Sequence, residues 1–199
     1  MTSRFAERFP DLADSLRTRY DAPGRTYHNW AHIQALLSHY DRHLDKMHDP
    51  GAVEIALYYH DVVYVPGSKA NETESAMTMV QELDGRAVEA EVSAADLIIR
   101  ATAAHAVPKG TPRNLAHDCA LFLDMDLAIL GAEPEAFDAF DANIRAEFSM
   151  IPDEIFLPRR RAAMQTFLER ERIYITDAFH NSHDHAARRN LTMLVNRLA

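Results

Sequence analysis

Apolar side chains recur along this chain every three or four residues, the period of a helix that buries one face. Phe5, Phe9, Leu12, Leu16 and Tyr20 make the first stripe, over residues 4–20, with a bend expected at Pro10. Asp21-Ala22-Pro23-Gly24 breaks it. A second stripe begins near Asn29 and runs to about Leu44, with Trp30, Ile33, Leu36, Leu37 and Tyr40 on its inner side. Residues 55–64, Ile-Ala-Leu-Tyr-Tyr-His-Asp-Val-Val-Tyr, differ in kind, being apolar on every side. That pattern predicts a helix in the interior, with Pro50 in its first turn and Pro66-Gly67-Ser68 at its end.

Further on, Asn71-Glu72-Thr73-Glu74 reads as the capped start of a helix over 71–83. Helices are expected over 86–105, over 114–130 with Gly131 as C-terminal cap, and over 134–148 and 153–170. A short piece near 174–180 precedes a last helix from a Ser182 cap to Leu198. No stretch alternates as a strand would. The expectation is an all-α fold, a single-domain helical bundle over residues 1–199. In it, residues 1–25 form an N-terminal helix and turn, and residues 132–199 form C-terminal helices packed on the core.

Composition narrows the function. At 199 residues the chain can bury a sizeable core, and 47% hydrophobic with 26% charged residues is ordinary for a globular protein. A net charge of −9 speaks against a partner that is a nucleic-acid polymer, although it leaves room for a nucleotide. The single cysteine, Cys119, cannot form an internal disulfide, which fits a reducing cytoplasm. The first residues lack the apolar segment of a signal peptide, and no run reaches the ~18 apolar residues of a membrane span. A cytoplasmic protein with no membrane partner is expected; its oligomeric state is open, a homodimer included.

The chemistry begins at His60-Asp61. Burying such a pair without partners costs several kcal/mol per charge, and a divalent metal removes that cost because both side chains are ligands. His-Asp dipeptides occur at 48–49, 60–61, 117–118 and 183–184, so the dipeptide alone is not informative. His48-Asp49 lies in a Pro-Gly turn, His117-Asp118 reads as a partly exposed helix face, and His183-Asp184 as a solvated first turn. Only His60-Asp61 has apolar residues on both sides. His28 and His32 stand i, i+4 and share a face if both are helical, and His32 is the favoured further ligand. Asp124 and Asp126, also embedded in apolar sequence, are expected to send at least one carboxylate to the same place.

Together, His32, His60-Asp61 and Asp126 resemble the motif of the HD superfamily of metal-dependent phosphohydrolases. More narrowly, Tyr27-His28-Asn29-Trp30-Ala31-His32-Ile33, His60-Asp61-Val62-Val63-Tyr64, Asn71-Glu72 with Ser75-Ala76, and Phe122-Leu-Asp-Met-Asp-Leu-Ala-Ile-Leu-Gly131 are similar to a bacterial branch of mostly uncharacterised HD hydrolases. Ile144-Arg145, the arginines at 159–161 and Arg188-Arg189-Asn190-Leu191 fit the same branch. The resemblance implies an HD-type helical domain and selects Asp126 over Asp124 as the fourth ligand. It departs at Val65, where relatives often carry an aspartate; any role of that acid in positioning water is then absent here or moved to Glu72.

The implied activity is hydrolysis of a phosphomonoester or phosphodiester, in a nucleotide or another small phosphorylated molecule. The cofactor would be one divalent ion, Mn²⁺, Fe²⁺, Co²⁺, Ni²⁺ or Zn²⁺. Asp61 would ligate and orient water, and Glu72 would act as general acid or base. Arg145 is the first candidate for gripping phosphate and Lys69 the second; His28 and His105 are expected to bind phosphate or hold a second metal, and Asn71 completes the expected substrate contacts. The arginines at 159–161 read as a solvated face. Two alternatives stay open: a di-iron oxygenase of the same scaffold, for which His105 is the one intermediate histidine, and a non-catalytic metal or nucleotide sensor, to which Val65 points.

Overall fold

Phe9 takes φ −137° and ψ 63°, so the first apolar stripe breaks into two helices, α1 (Arg4–Arg8) and α2 (Pro10–Tyr20). Pro10 lacks an N–H to continue a helix and instead opens the next one, as the bend expected there requires. The computed structural model describes residues 3–198. Its helices continue as α3 (Trp30–His43), α4 (Pro50–Tyr59), α5 (Asn71–Leu83), α6 (Glu89–Ala101), α7 (Arg113–Asp126), α8 (Pro134–Glu147), α9 (Asp153–Leu168) and α10 (Asp177–Arg197). Among the described residues there is no strand; the protein is all-α. None of these helices is long and apolar enough to cross a membrane.

The chain divides into two compact units, the first ending at Leu123 and the second beginning at Asp124. In the first, α4 packs against α1, α2, α3, α5 and α6. Every residue from Ala52 to Tyr59 is buried, as an all-round apolar helix must be. Asp49 caps its start by accepting from Ala52 N–H, with Pro50 in its first turn. The one charge inside α4, Glu54, accepts from Ser3 Oγ at 2.7 Å and Phe5 N–H at 3.1 Å; burial still pushes its carboxyl up. Phe5 stacks on Tyr58 with ring centroids 4.3 Å apart.

The observed elements correct several expected boundaries. α4 stops at Tyr59, so His60 is its C-terminal cap and Asp61 lies beyond the helix. The backbone after it is held out of helical geometry by side chains from elsewhere, described below. α6 ends near Ala101 rather than at 105, because His105 adopts φ 44°. His105 N–H then bonds Thr102 O and Ala106 N–H bonds Ala101 O, the paired bonds of a Schellman cap. α7 gives way after Asp126 to a 3-10 segment, Leu127–Gly131. Gly131 is there for close approach rather than for a left-handed cap: a Cβ on it would lie 2.7 Å from the Cβ of His183.

In the second unit α10 packs against Leu127–Gly131 and α9. It starts at Asp177 under a Thr176 cap, so Ser182 lies inside it and returns its hydroxyl to Ala178 O. The His183-Asp184 pair is therefore not a solvated first turn. Asp184 is buried, accepts from Ile173 N–H and pairs with Arg188 at 2.7 Å. The 159–161 run is not wholly a solvated face either: Arg160 pairs with Asp141 at 3.0 Å, and Arg161 donates to Val195 O. Asp124 accepts from Ile175 N–H, Thr176 N–H and Thr176 Oγ at 2.7, 2.7 and 2.6 Å. It serves as an anchor for the start of α10.

Burial pushes the Asp124 carboxyl above its ordinary 3.8 in spite of these three donors. A carboxyl raised on folding contributes stability that is complete below its unfolded pKa and is lost as pH rises through the folded value. Denaturant titrations of wild type and Asp124→Asn should therefore show the wild type gaining on the variant as pH falls from 7 toward 4. Asp124→Ala, which leaves two backbone N–H groups unpaired, should cost about 2–4 kcal/mol at pH 7.

Candidate metal centre

Asn29 builds the entry to α3. Its side chain accepts from Ala31 and His32 N–H and donates to Arg25 O and Thr26 O, so the turn before the helix and its first turn are fixed together. His32, in that first turn, is 7% exposed, and His60, at the end of α4, is 1% exposed. Their Nε2 atoms lie 3.1 Å apart. Asp61 Oδ2 is 3.1 Å from His60 Nε2 and 4.0 Å from His32 Nε2. With 17% of its side chain exposed, Asp61 is the most open of the three.

The far side of the His60 ring fixes its protonation. Nδ1 lies 3.0 Å from Leu57 O, and a carbonyl can only accept, so Nδ1 carries a proton and, in the neutral ring, Nε2 presents a lone pair. That lone pair faces both an imidazole nitrogen and a carboxylate oxygen. One imidazole proton can bridge one of these contacts, not all of them. A point equidistant from three atoms with these separations lies about 2.0 Å from each, within the ~2.0–2.2 Å range of metal bonds to histidine nitrogen and carboxylate oxygen. A histidine whose other nitrogen donates to a backbone carbonyl is the usual outer support of a metal ligand. The donor set fits a divalent transition metal.

The turn that carries Asp61 is held from outside. Tyr20 Oη accepts from Asp61 N–H and donates to Tyr58 O. Arg25 donates to Asp61 O at 2.7 Å, Val62 O at 2.8 Å and His28 O at 3.1 Å, its guanidinium between the rings of Tyr20 and Tyr64. One arginine thus joins the segment before His32 to the segment after His60. Sequence reading passed over it, since a loop arginine reaching residues 36 and 37 positions ahead follows no period. Ser75 pairs with both polar groups of Val63, and Asn71 with both of Val65.

The remaining candidates fall in varied places. His28 lies ahead of the Asn29 cap, so it shares no helical face with His32; its ring nonetheless stacks on Tyr64 at 4.2 Å and stands 6.2 Å from the His32 ring. Asn71, expected at the substrate, spends its carbonyl and amide on Val65, which makes it a clamp of the turn. Glu72, half-buried, is in the first turn of α5, and Lys69 is exposed on the loop before it. His105 is committed by its backbone to capping α6. Asp126 ends α7, half-buried, in the second unit. Arg145 departs from its expected role: Nε and Nη2 engage Asp153, Nη1 donates to Phe148 O and Nη2 to Ile151 O, and the group lies over Phe156. It ties the end of α8 to the start of α9.

No protein-family model, curated protein or solved structure matches the chain.

Arg25→Ala should lower stability by about 2–4 kcal/mol in chemical denaturation, because three carbonyls lose their donor together. Arg25→Lys should recover only part of this, an ammonium having no planar fork to reach the three carbonyls.

Proposed function

We propose that the protein is a metal-dependent phosphohydrolase with one divalent ion at His32, His60 and Asp61, acting on a nucleotide or another small phosphorylated molecule. The observation that supports this reading is the convergence of His32 Nε2, His60 Nε2 and Asp61 Oδ2 on one point, with His60 held by Leu57 O in the tautomer that ligates. The likeness to HD hydrolases supplies the reaction class.

A divalent ion in such a site provides Lewis-acid charge for a phosphoryl oxygen and lowers the pKa of bound water. Asp61, the open member of the group, orients the attacking water with its second carboxylate oxygen. Glu72 holds or returns a proton from its position in the first turn of α5. His28, framed by Tyr27 and Tyr64, and Lys69 on the loop before α5 would meet phosphate, Arg145 being engaged within α8 and α9. The buried histidines exclude bulk water behind the reacting atoms, while the exposed loop over 65–69 leaves the front open to a small substrate.

Purified protein should contain Mn²⁺, Fe²⁺, Co²⁺, Ni²⁺ or Zn²⁺ by elemental analysis and hydrolyse members of a panel of nucleotides and phosphomonoesters. His60→Ala and Asp61→Ala should each lose the metal and the activity together; full metal content in either variant overturns the assignment. Glu72→Gln should keep its metal while turnover falls by about 10²–10⁴-fold, the scale of a lost general acid or base.

A further inference from the structure

Two of the remaining His-Asp dipeptides, 69 residues apart in sequence, meet in space. Asp118, on α7, is 1% exposed, and its carboxylate accepts from His48 N–H at 3.0 and 3.1 Å and from Asp49 N–H at 2.7 Å. These bonds pin the loop that leads into α4 and satisfy the buried charge through backbone alone. Neither imidazole is needed for that purpose. Both nevertheless gather at the carboxylate: His117 Nδ1 is 3.3 Å from Asp118 Oδ1, and the His48 and His117 rings meet edge to face with centroids 5.2 Å apart. One ligand atom of each of the three residues lies within 4.8 Å of the other two, and both histidines are exposed.

We propose that His48, His117 and Asp118 form a second, solvent-open binding site for a divalent transition metal on the first unit, separate from the His32–His60–Asp61 centre. The chemistry favours Zn²⁺, Ni²⁺ or Cu²⁺, which imidazole holds well, over Mg²⁺ or Ca²⁺, which prefer oxygen. Two imidazoles and one carboxylate are the ligand set of many three-residue zinc sites, with the remaining position left to water. Two rings bound through nitrogen to one tetrahedral ion have centroids about 5 Å apart, given metal–nitrogen bonds of about 2.0–2.1 Å. The observed separation agrees. Oδ1 takes one backbone N–H while Oδ2 takes two, and Oδ1 is the oxygen that faces His117 Nδ1. An ion there would tie the loop before α4 to α7, and ligands on segments so distant in sequence stabilise the folded chain when filled.

The test titrates Zn²⁺ into the full chain, His48→Ala, His117→Ala and the double variant, each also carrying Asp61→Ala, with bound metal counted by equilibrium dialysis and elemental analysis. In both backgrounds the double variant should bind one equivalent fewer, and the rise in melting temperature that Zn²⁺ produces in the Asp61→Ala chain should disappear. Because both imidazoles are exposed, the metal-free melting temperature should not change, which separates ligand loss from unfolding. Equal Zn²⁺ binding with and without His48 and His117 in the Asp61→Ala background overturns the proposal, whatever becomes of the central site.

Discussion

One proton decides what the centre of this protein can do. It sits on His60 Nδ1, which donates to Leu57 O, and in the neutral ring it leaves the other nitrogen as a lone pair facing His32 and Asp61. Were the tautomer reversed, Nε2–H would donate to Asp61 and the three groups would close into an ordinary hydrogen-bonded cluster. The acceptor is a carbonyl in the last turn of α4, so the ring's orientation depends on that helix being rigid. The rigidity follows from burial on all sides among α1, α2, α3, α5 and α6.

The buried acids of the chain fall into two groups by what they face. Glu54, Asp118, Asp124 and Asp184 accept backbone N–H groups and act as anchors: for α1, for the loop before α4, for the start of α10, and for the segment ahead of it. In these places a carboxylate meets the donors that the chain would otherwise leave unpaired at a turn or helix end. Asp61 has its backbone fixed by Tyr20 and Arg25, and its carboxylate lies beside an imidazole lone pair. Four of these five acids are buried and Asp61 is half-buried. The facing group separates structure from chemistry.

The same distinction accounts for the polar residues around the centre. Arg25, Asn71 and Ser75 each bind backbone groups of residues 61–65 and so hold out of a helix a stretch whose apolar composition would suit a longer one. The site is a product of loops fixed onto one buried helix, an arrangement in which loops carry the function and the scaffold supplies precision.

The all-α class, the break at Pro10 and the buried helix after Pro50 were legible in the sequence, because each depends on the period of apolar residues or on the N–H that proline lacks; the caps expected at Asn71, Gly131 and Ser182 were not, the helices there being bounded by Ala70, Ala132 and Thr176. His32, His60 and Asp61 were legible as a group because ionisable residues in an apolar setting demand partners, and the structure brings these three together. Tertiary structure alone decided where α4 and α7 end, since Asn71, Ser75, Arg25 and the close approach at Gly131 act from distant positions. It alone assigned Asn71 and Arg145 to structural bonds and revealed that His48-Asp49 meets His117-Asp118. A sequence states which groups need partners; only the packed chain, by bringing remote segments within hydrogen-bond range, states which partners they receive.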